Sequence, residues 1–114
     1  MKAQSCKSKG RALQKLVVQK IREYFPRLTD KDVRSTSMGA GGVDVQLSSA
    51  AFRKFPFAIE CKNLAKIAIY KLYEQAVAHS KDHGGIPLLV VKQNRAEPLV
   101  VLSLDDFMKL VANK

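Results

Sequence analysis

The chain has 114 residues, of which 46% are hydrophobic, and 20 Lys+Arg stand against 10 Asp+Glu for a net charge of +10. That length carries one domain with a real core and excludes two. No run is long or apolar enough to span a bilayer, and the polar, basic start lacks the apolar stretch of a signal peptide, so a cytoplasmic protein is expected.

The positive charge is uneven. Residues 1–34 hold ten basic residues and only three acidic ones, Glu23, Asp30 and Asp32. A basic face of this strength points to a polyanion, and nucleic acid is the commonest one for a cytosolic protein. Cys6 and Cys61 lie far apart and neither belongs to a CxxC pair, which argues against a zinc knuckle or redox motif and predicts free thiols.

Residues 1–9 (MKAQSCKSK) read as a flexible basic N-terminus, and 10–114 as the folded domain. From Gly10 the spacing of Leu13, Leu16, Val17, Ile21, Tyr24 and Phe25 predicts a helix over about 10–25, which Pro26 ends. A short strand over 32–37 follows, closed by the stretch Met38-Gly39-Ala40-Gly41-Gly42. That stretch lacks the GKS/T ending of a P-loop, and its glycines suit a loop lying close to a DNA backbone.

Val43–Ser48 alternates as a strand, with Asp44, Gln46 and Ser48 on the polar face. Residues 49–54 are read as a connection to a strand over Phe55–Lys62, on which Ala58, Glu60 and Lys62 share a face. Helical spacing returns from about Lys66 through Ile69, Leu72, Tyr73 and Ala76, up to Gly84-Gly85. Ile86–Val91 is a continuous apolar run, as expected of a strand covered on both faces. A strand over Leu99–Leu102 and a helix opening at Ser103, with Asp105 and Asp106 in its first turn, complete the chain. The order is α, β, β, β, α, β, β, α: an α/β domain with a mixed central sheet flanked by helices.

Asp44 and Glu60 are thus expected on the polar faces of neighbouring strands, with Lys62 two residues further on, about 6–7 Å along the strand. Two converging carboxylates make a hard-oxygen site suited to Mg2+, which takes one or two carboxylates and completes its shell with water and substrate phosphate. Such an ion can polarise a phosphodiester and stabilise the departing oxygen. A nearby lysine can orient or deprotonate the attacking water, or neutralise charge building on phosphorus. On spacing alone, an ordinary solvated Glu–Lys strand face is the favoured reading.

Taken together, KSKGRALQKLVVQKIREYF, RSTSMGAGGVDV, FPFAIECKN and IPLLVVKQN resemble the PD-(D/E)xK nuclease superfamily, specifically its Holliday-junction-resolvase-like branch with small phage endonucleases. The resemblance covers about residues 7–110. It implies a restriction-endonuclease-like fold with an α-β-β-β-α-β core and an endonuclease acting on DNA, selective toward Holliday or other branched junctions. It further implies a homodimer, encoded by a phage and acting in the cytoplasm of a bacterial host. By position, Asp44 and Glu60 become Mg2+ ligands (with Mn2+ able to substitute), the carbonyl of Cys61 a further ligand, and Lys62 the catalytic lysine. Gln14 stands where archaeal resolvases carry a glutamate, a change that removes one negative charge and weakens metal binding. Ser35 and Ser37 match a hydroxyl near the scissile phosphate, and Gln75 matches a glutamine beside the active site; turn capping and a plain surface role are the competing readings.

Lys7, Lys9, Arg11, Lys15, Arg34, Arg53, Lys54 and Lys66 are candidates for phosphate contacts, which position a duplex without reading its sequence. With no reader motif present, recognition by shape and deformability is expected. His79 and His83, four apart, could place two imidazoles on one side of a helix, but no third zinc ligand is evident. Tyr70 and Tyr73 read as core or dimer contacts. Three other readings stay open: a nuclease of this fold with a nicking, flap or repair substrate, a non-catalytic basic nucleic-acid-binding protein with a relic site, and a basic ribosome- or RNA-associated module.

Overall fold

Helix α1 (Cys6–Tyr24) starts four residues before Gly10, where the spacing predicts it. The segment CKSK is polar, so hydrophobic spacing cannot register that first turn. The computed structural model describes residues 6–37 and 41–113, with the side chain of Cys6 also outside that range. The expected flexible terminus therefore falls largely outside the described residues, as do the thiol of Cys6 and Met38 to Ala40 of the glycine stretch.

α1 buries Leu13 and Ile21, and Leu16, Val17 and Phe25 pack beside them. Each such side chain contributes roughly 1.5–3 kcal/mol of burial. Strands β1 (Val33–Ser35) and β2 (Val45–Leu47) form an antiparallel pair, Ser35 opposite Val45. The segment read as a connection is helix α2 (Ser49–Lys54), a correction to the expected loop. Ser48 caps it: its hydroxyl accepts from the Ala51 N–H at 3.1 Å and donates to Asp32 Oδ1 at 2.7 Å. Six residues are too few for hydrophobic periodicity to reveal a helix.

Strand β3 (Phe57–Asn63) runs parallel to β4 (Ile86–Lys92), joined by helix α3 (Ile69–His83). β5 (Leu99–Val101) pairs antiparallel with the other edge of β4, and α4 (Leu104–Ala112) closes the chain behind the cap Ser103. The single mixed sheet of the sequence reading is therefore two: β1–β2, and β3–β4–β5. The order of elements and the flanking helices stand as expected.

Two cores result. Ile59, Cys61, Leu88 and Val90 face α1, whereas Leu89 and Val91 face Leu72 and Ala76 of α3. The strand β4 is buried on both faces, which is why it reads as an unbroken apolar run. No helix among the described residues is long and apolar enough to cross a membrane.

The α3–β4 turn depends on glycine. Gly85 has φ +98°, and a Cβ there would stand 2.8 Å from Phe52 Cε2 and 3.2 Å from the Pro56 carbonyl. Gly85→Ala combines a disfavoured backbone with overpacking and is expected to destabilise the fold by roughly 2–4 kcal/mol. Chemical denaturation monitored by circular dichroism measures this loss; an unchanged midpoint would refute it.

Candidate active site

β3 sets the site. Because side chains alternate across a strand, Ile59 and Cys61 enter the α1 core while Glu60 and Lys62 point to the α3 side. Glu60 is the anomaly, a carboxylate only 4% exposed in the middle of the strand. Burying it without partners would be costly, so its surroundings have to compensate.

Asp44 reaches β3 from just before β2. Its N–H donates to the Ile59 carbonyl at 2.8 Å, and its Oδ2 accepts from the Cys61 N–H at 2.7 Å. The residue therefore docks on the free edge of β3 as a ladder partner would, with its carboxylate taking the acceptor role that a strand carbonyl would otherwise fill. Its own carbonyl accepts from the Thr36 N–H at 2.9 Å, which ties the two-stranded sheet to this edge. The N–H and C=O of a strand residue point to the same side. The Cys61 carbonyl is thus directed to the edge that Asp44 occupies, away from β4.

The charges meet. Burial pushes the Asp44 carboxyl above the ordinary carboxylate range, opposed by the Cys61 N–H and by the charges of Lys62 and His79. Burial likewise raises Glu60, opposed by its hydrogen bond to His79, and the charge of Asp44 raises it further. Burial, with both carboxylates nearby, pushes the Cys61 thiol up, so its sulfur stays protonated and is a poor metal donor. The carbonyl is that residue's available ligand.

Glu60 Oε2 lies 2.8 Å from His79 Nδ1, a contact that the sequence reading did not foresee. The signal was present: His79 falls seven residues after Leu72 and three after Ala76, on the inward stripe of α3. His83, by contrast, bonds the Gly84 carbonyl at 2.9 Å through Nδ1 and packs edge-on to Phe52, so the two imidazoles do not act as a pair.

The remaining candidates are more dispersed. Gln14 is half-buried on α1, and among the described residues no hydrogen bond joins its amide to either carboxylate. Gln75 is exposed on α3, one turn before His79. Ser35 lies in β1 opposite Val45, and Ser37 is exposed where the described chain breaks off before the glycine loop. Lys9 is engaged: Nζ donates to Asn94 Oδ1 at 2.9 Å, and its carbonyl accepts from Asn63 Nδ2 at 3.4 Å. Lys7, Arg11, Lys15, Arg34, Arg53, Lys54 and Lys66 are exposed. Tyr70 is exposed, whereas Tyr73 packs on the α3 core and its hydroxyl accepts from the Ser103 N–H at 3.2 Å.

Among the described residues no group of three or more His, Cys, Asp and Glu side chains forms a ready-made metal cage. Two carboxylates destabilised by burial, Glu60 further by the charge of Asp44, beside an outward carbonyl, are nonetheless a donor set that fits a hard divalent cation. An apolar hollow of about 790 Å³ lies elsewhere, along α1 and Val100.

A helix, an aspartate beside a strand bearing Glu-x-Lys, and a parallel crossover through α3 define the PD-(D/E)xK class of nucleases. Over residues 6–114 the chain matches the family described as "Phage putative PDDEXK endonuclease", and it belongs to that family. No curated protein and no solved structure matches it. DNA is the substrate that such a nuclease family implies.

Proposed function

We propose that the protein is a Mg2+-dependent DNA endonuclease selective for Holliday or other branched junctions, working as a homodimer. The observation that carries the hydrolytic part is the 2.7 Å bond from the Cys61 N–H to Asp44 Oδ2, which holds Asp44 beside Glu60 and Lys62. Asp44, Glu60 and the Cys61 carbonyl would hold the cation, which supplies Lewis-acid polarisation of the phosphodiester and neutralises its charge. Lys62 orients the attacking water and meets the charge that grows on the phosphoryl oxygens. Glu60 and Asp44 keep the edge of β3 anionic, and exposed bases such as Arg11, Arg53 and Lys66 take flanking phosphates.

The dimer is supported by an unpartnered apolar surface. α4 has no buried residue, yet it carries Leu104, Phe107, Met108 and Val111 on one stripe, next to the exposed edge of β5. The apolar hollow along α1, with Lys20 among its lining, lies on the same chain. Asp105 and Asp106 flank the stripe on a molecule of net charge +10, so a second copy would present basic surface to these acids. A two-fold pair, the commonest arrangement of small oligomers, would bury such a stripe against its own copy. A four-way junction needs two nicks, and each small domain supplies one site.

The test is a cleavage panel with Mg2+ on a four-way junction, a linear duplex and single strands of the same sequence, with molar mass measured by light scattering. Junction cuts should come in pairs for the wild type. Phe107→Asp should give a monomer that no longer makes paired cuts. Equal cleavage of all substrates would reassign the substrate. Binding without cleavage in Mg2+ or Mn2+ would make the chain a DNA-binding relic.

A further inference from the structure

We infer that His79 is a positioning residue for Glu60: through Nδ1 it holds Oε2 and reserves Oε1 for a divalent cation. This rests on reading Asp44, Glu60 and Lys62 as the nuclease site. Three observations carry it. The His79–Glu60 contact is 2.8 Å, and the glutamate it holds has a side chain only 5% exposed. The imidazole is delivered from a rigid element, since Leu72, Ala76 and Ser80 of α3 are buried and two of them pack on Leu89 and Val91 of β4. The fold does not need this bond to seat α3, because that apolar seam already does so. His83 shows the alternative, an imidazole that merely bonds the backbone of its own helix terminus.

A glutamate has three side-chain torsions and loses up to about 2 kcal/mol of rotamer entropy when fixed. A carboxylate left free at this depth would meet the cation in many orientations. With an ionised carboxylate as acceptor, Nδ1 carries the proton and donates, so one lone pair of Oε2 is engaged and Oε1 is the oxygen with both free for a ligand. Groups that orient a metal's direct ligands typically change affinity by 10–100-fold when removed.

The experiment is calorimetric titration of Mn2+ into the full chain without DNA, for the wild type, Glu60→Ala, His79→Ala, His79→Asn and His79→Gln. His79→Ala should weaken Mn2+ binding by about 10–100-fold. In cleavage assays the loss should fall more on the Mn2+ concentration for half-maximal rate than on the rate at saturation. His79→Asn, whose amide nitrogen lies near the place of Nδ1, should recover most of the affinity, while His79→Gln, which reaches the place of Nε2, should not. Mn2+ affinity in His79→Ala within about twofold of wild type would overturn the assignment. Loss that His79→Asn fails to recover, with a lowered melting temperature, would overturn it in favour of a structural role. Unchanged affinity in Glu60→Ala would remove the site itself. Binding lost in Glu60→Ala but kept in His79→Ala would remove His79 alone.

Discussion

Lys62→Ala should lower the cleavage rate by about 10²–10⁴-fold while DNA affinity stays within about threefold. Lys62 is half-buried beside Asp44 and Glu60, and both carboxylates sense its charge. That is the place from which an ammonium group can meet charge developing on phosphorus. Its contribution grows as the reaction proceeds, so its loss should appear in the rate and not in ground-state binding. Exposed bases elsewhere on the chain are expected to supply the affinity, so binding should fall steeply as salt rises. Single-turnover cleavage with enzyme in excess gives the rate, and gel-shift titration in Ca2+ gives the affinity. A rate within about tenfold of wild type would remove the role, and a parallel loss of affinity would recast Lys62 as a phosphate contact. Lys62→Arg keeps the charge but changes its shape and hydration, so it should restore only part of the rate.

What the sequence made legible follows from which forces leave a periodic trace. β4 was readable as a doubly covered strand because Leu88 and Val90 serve one core and Leu89 and Val91 the other, leaving no polar position between them. α1 and α3 were readable from their stripes, although the polar first turn of α1 left none. Glu60 and Lys62 stood out because they interrupt β3 at a spacing of two. Asp44 was expected on a strand neighbouring β3; it lies just before β2, which is in the other sheet, and reaches β3 through its own N–H and a side-chain oxygen. That substitution of carboxylate for carbonyl leaves no sequence pattern. α2 escaped because it is one turn and a half held by a local cap and by Asp32. His79 escaped because a helix C-terminus already explains a histidine, and only the depth of Glu60 shows that this one has other work.

The depth of the carboxylates has a consequence for stability that runs opposite to activity. Glu60→Gln should reduce cleavage by 10³-fold or more, on the order of a lost preorganised charge, yet raise the melting temperature in EDTA at neutral pH. Burial holds Glu60 and Asp44 above their ordinary range, so in the folded chain both keep protons more tightly than in the unfolded one. As pH rises through the unfolded carboxylate range toward the folded one, the unfolded chain releases protons first, and stability falls. Above that window both states are ionised and the native state carries the full penalty. A glutamine keeps an oxygen for the His79 N–H but carries no charge to desolvate or to repel Asp44. Asp32 contributes with the opposite sign over similar pH values, because the Thr29 N–H and the Ser48 hydroxyl hold it low. The comparison must therefore be variant against wild type at each pH, and not the wild-type curve alone. The gap between them should close below the carboxylate range, where every acid is protonated in both states. Mn2+ should also narrow the gap by raising the wild-type melting temperature selectively, since a ligand of the folded state stabilises it by mass action. A Glu60→Gln variant that melts below the wild type at pH 7 in EDTA, or that gains as much from Mn2+ as the wild type does, would show that Glu60 is not an uncompensated charge waiting for a cation.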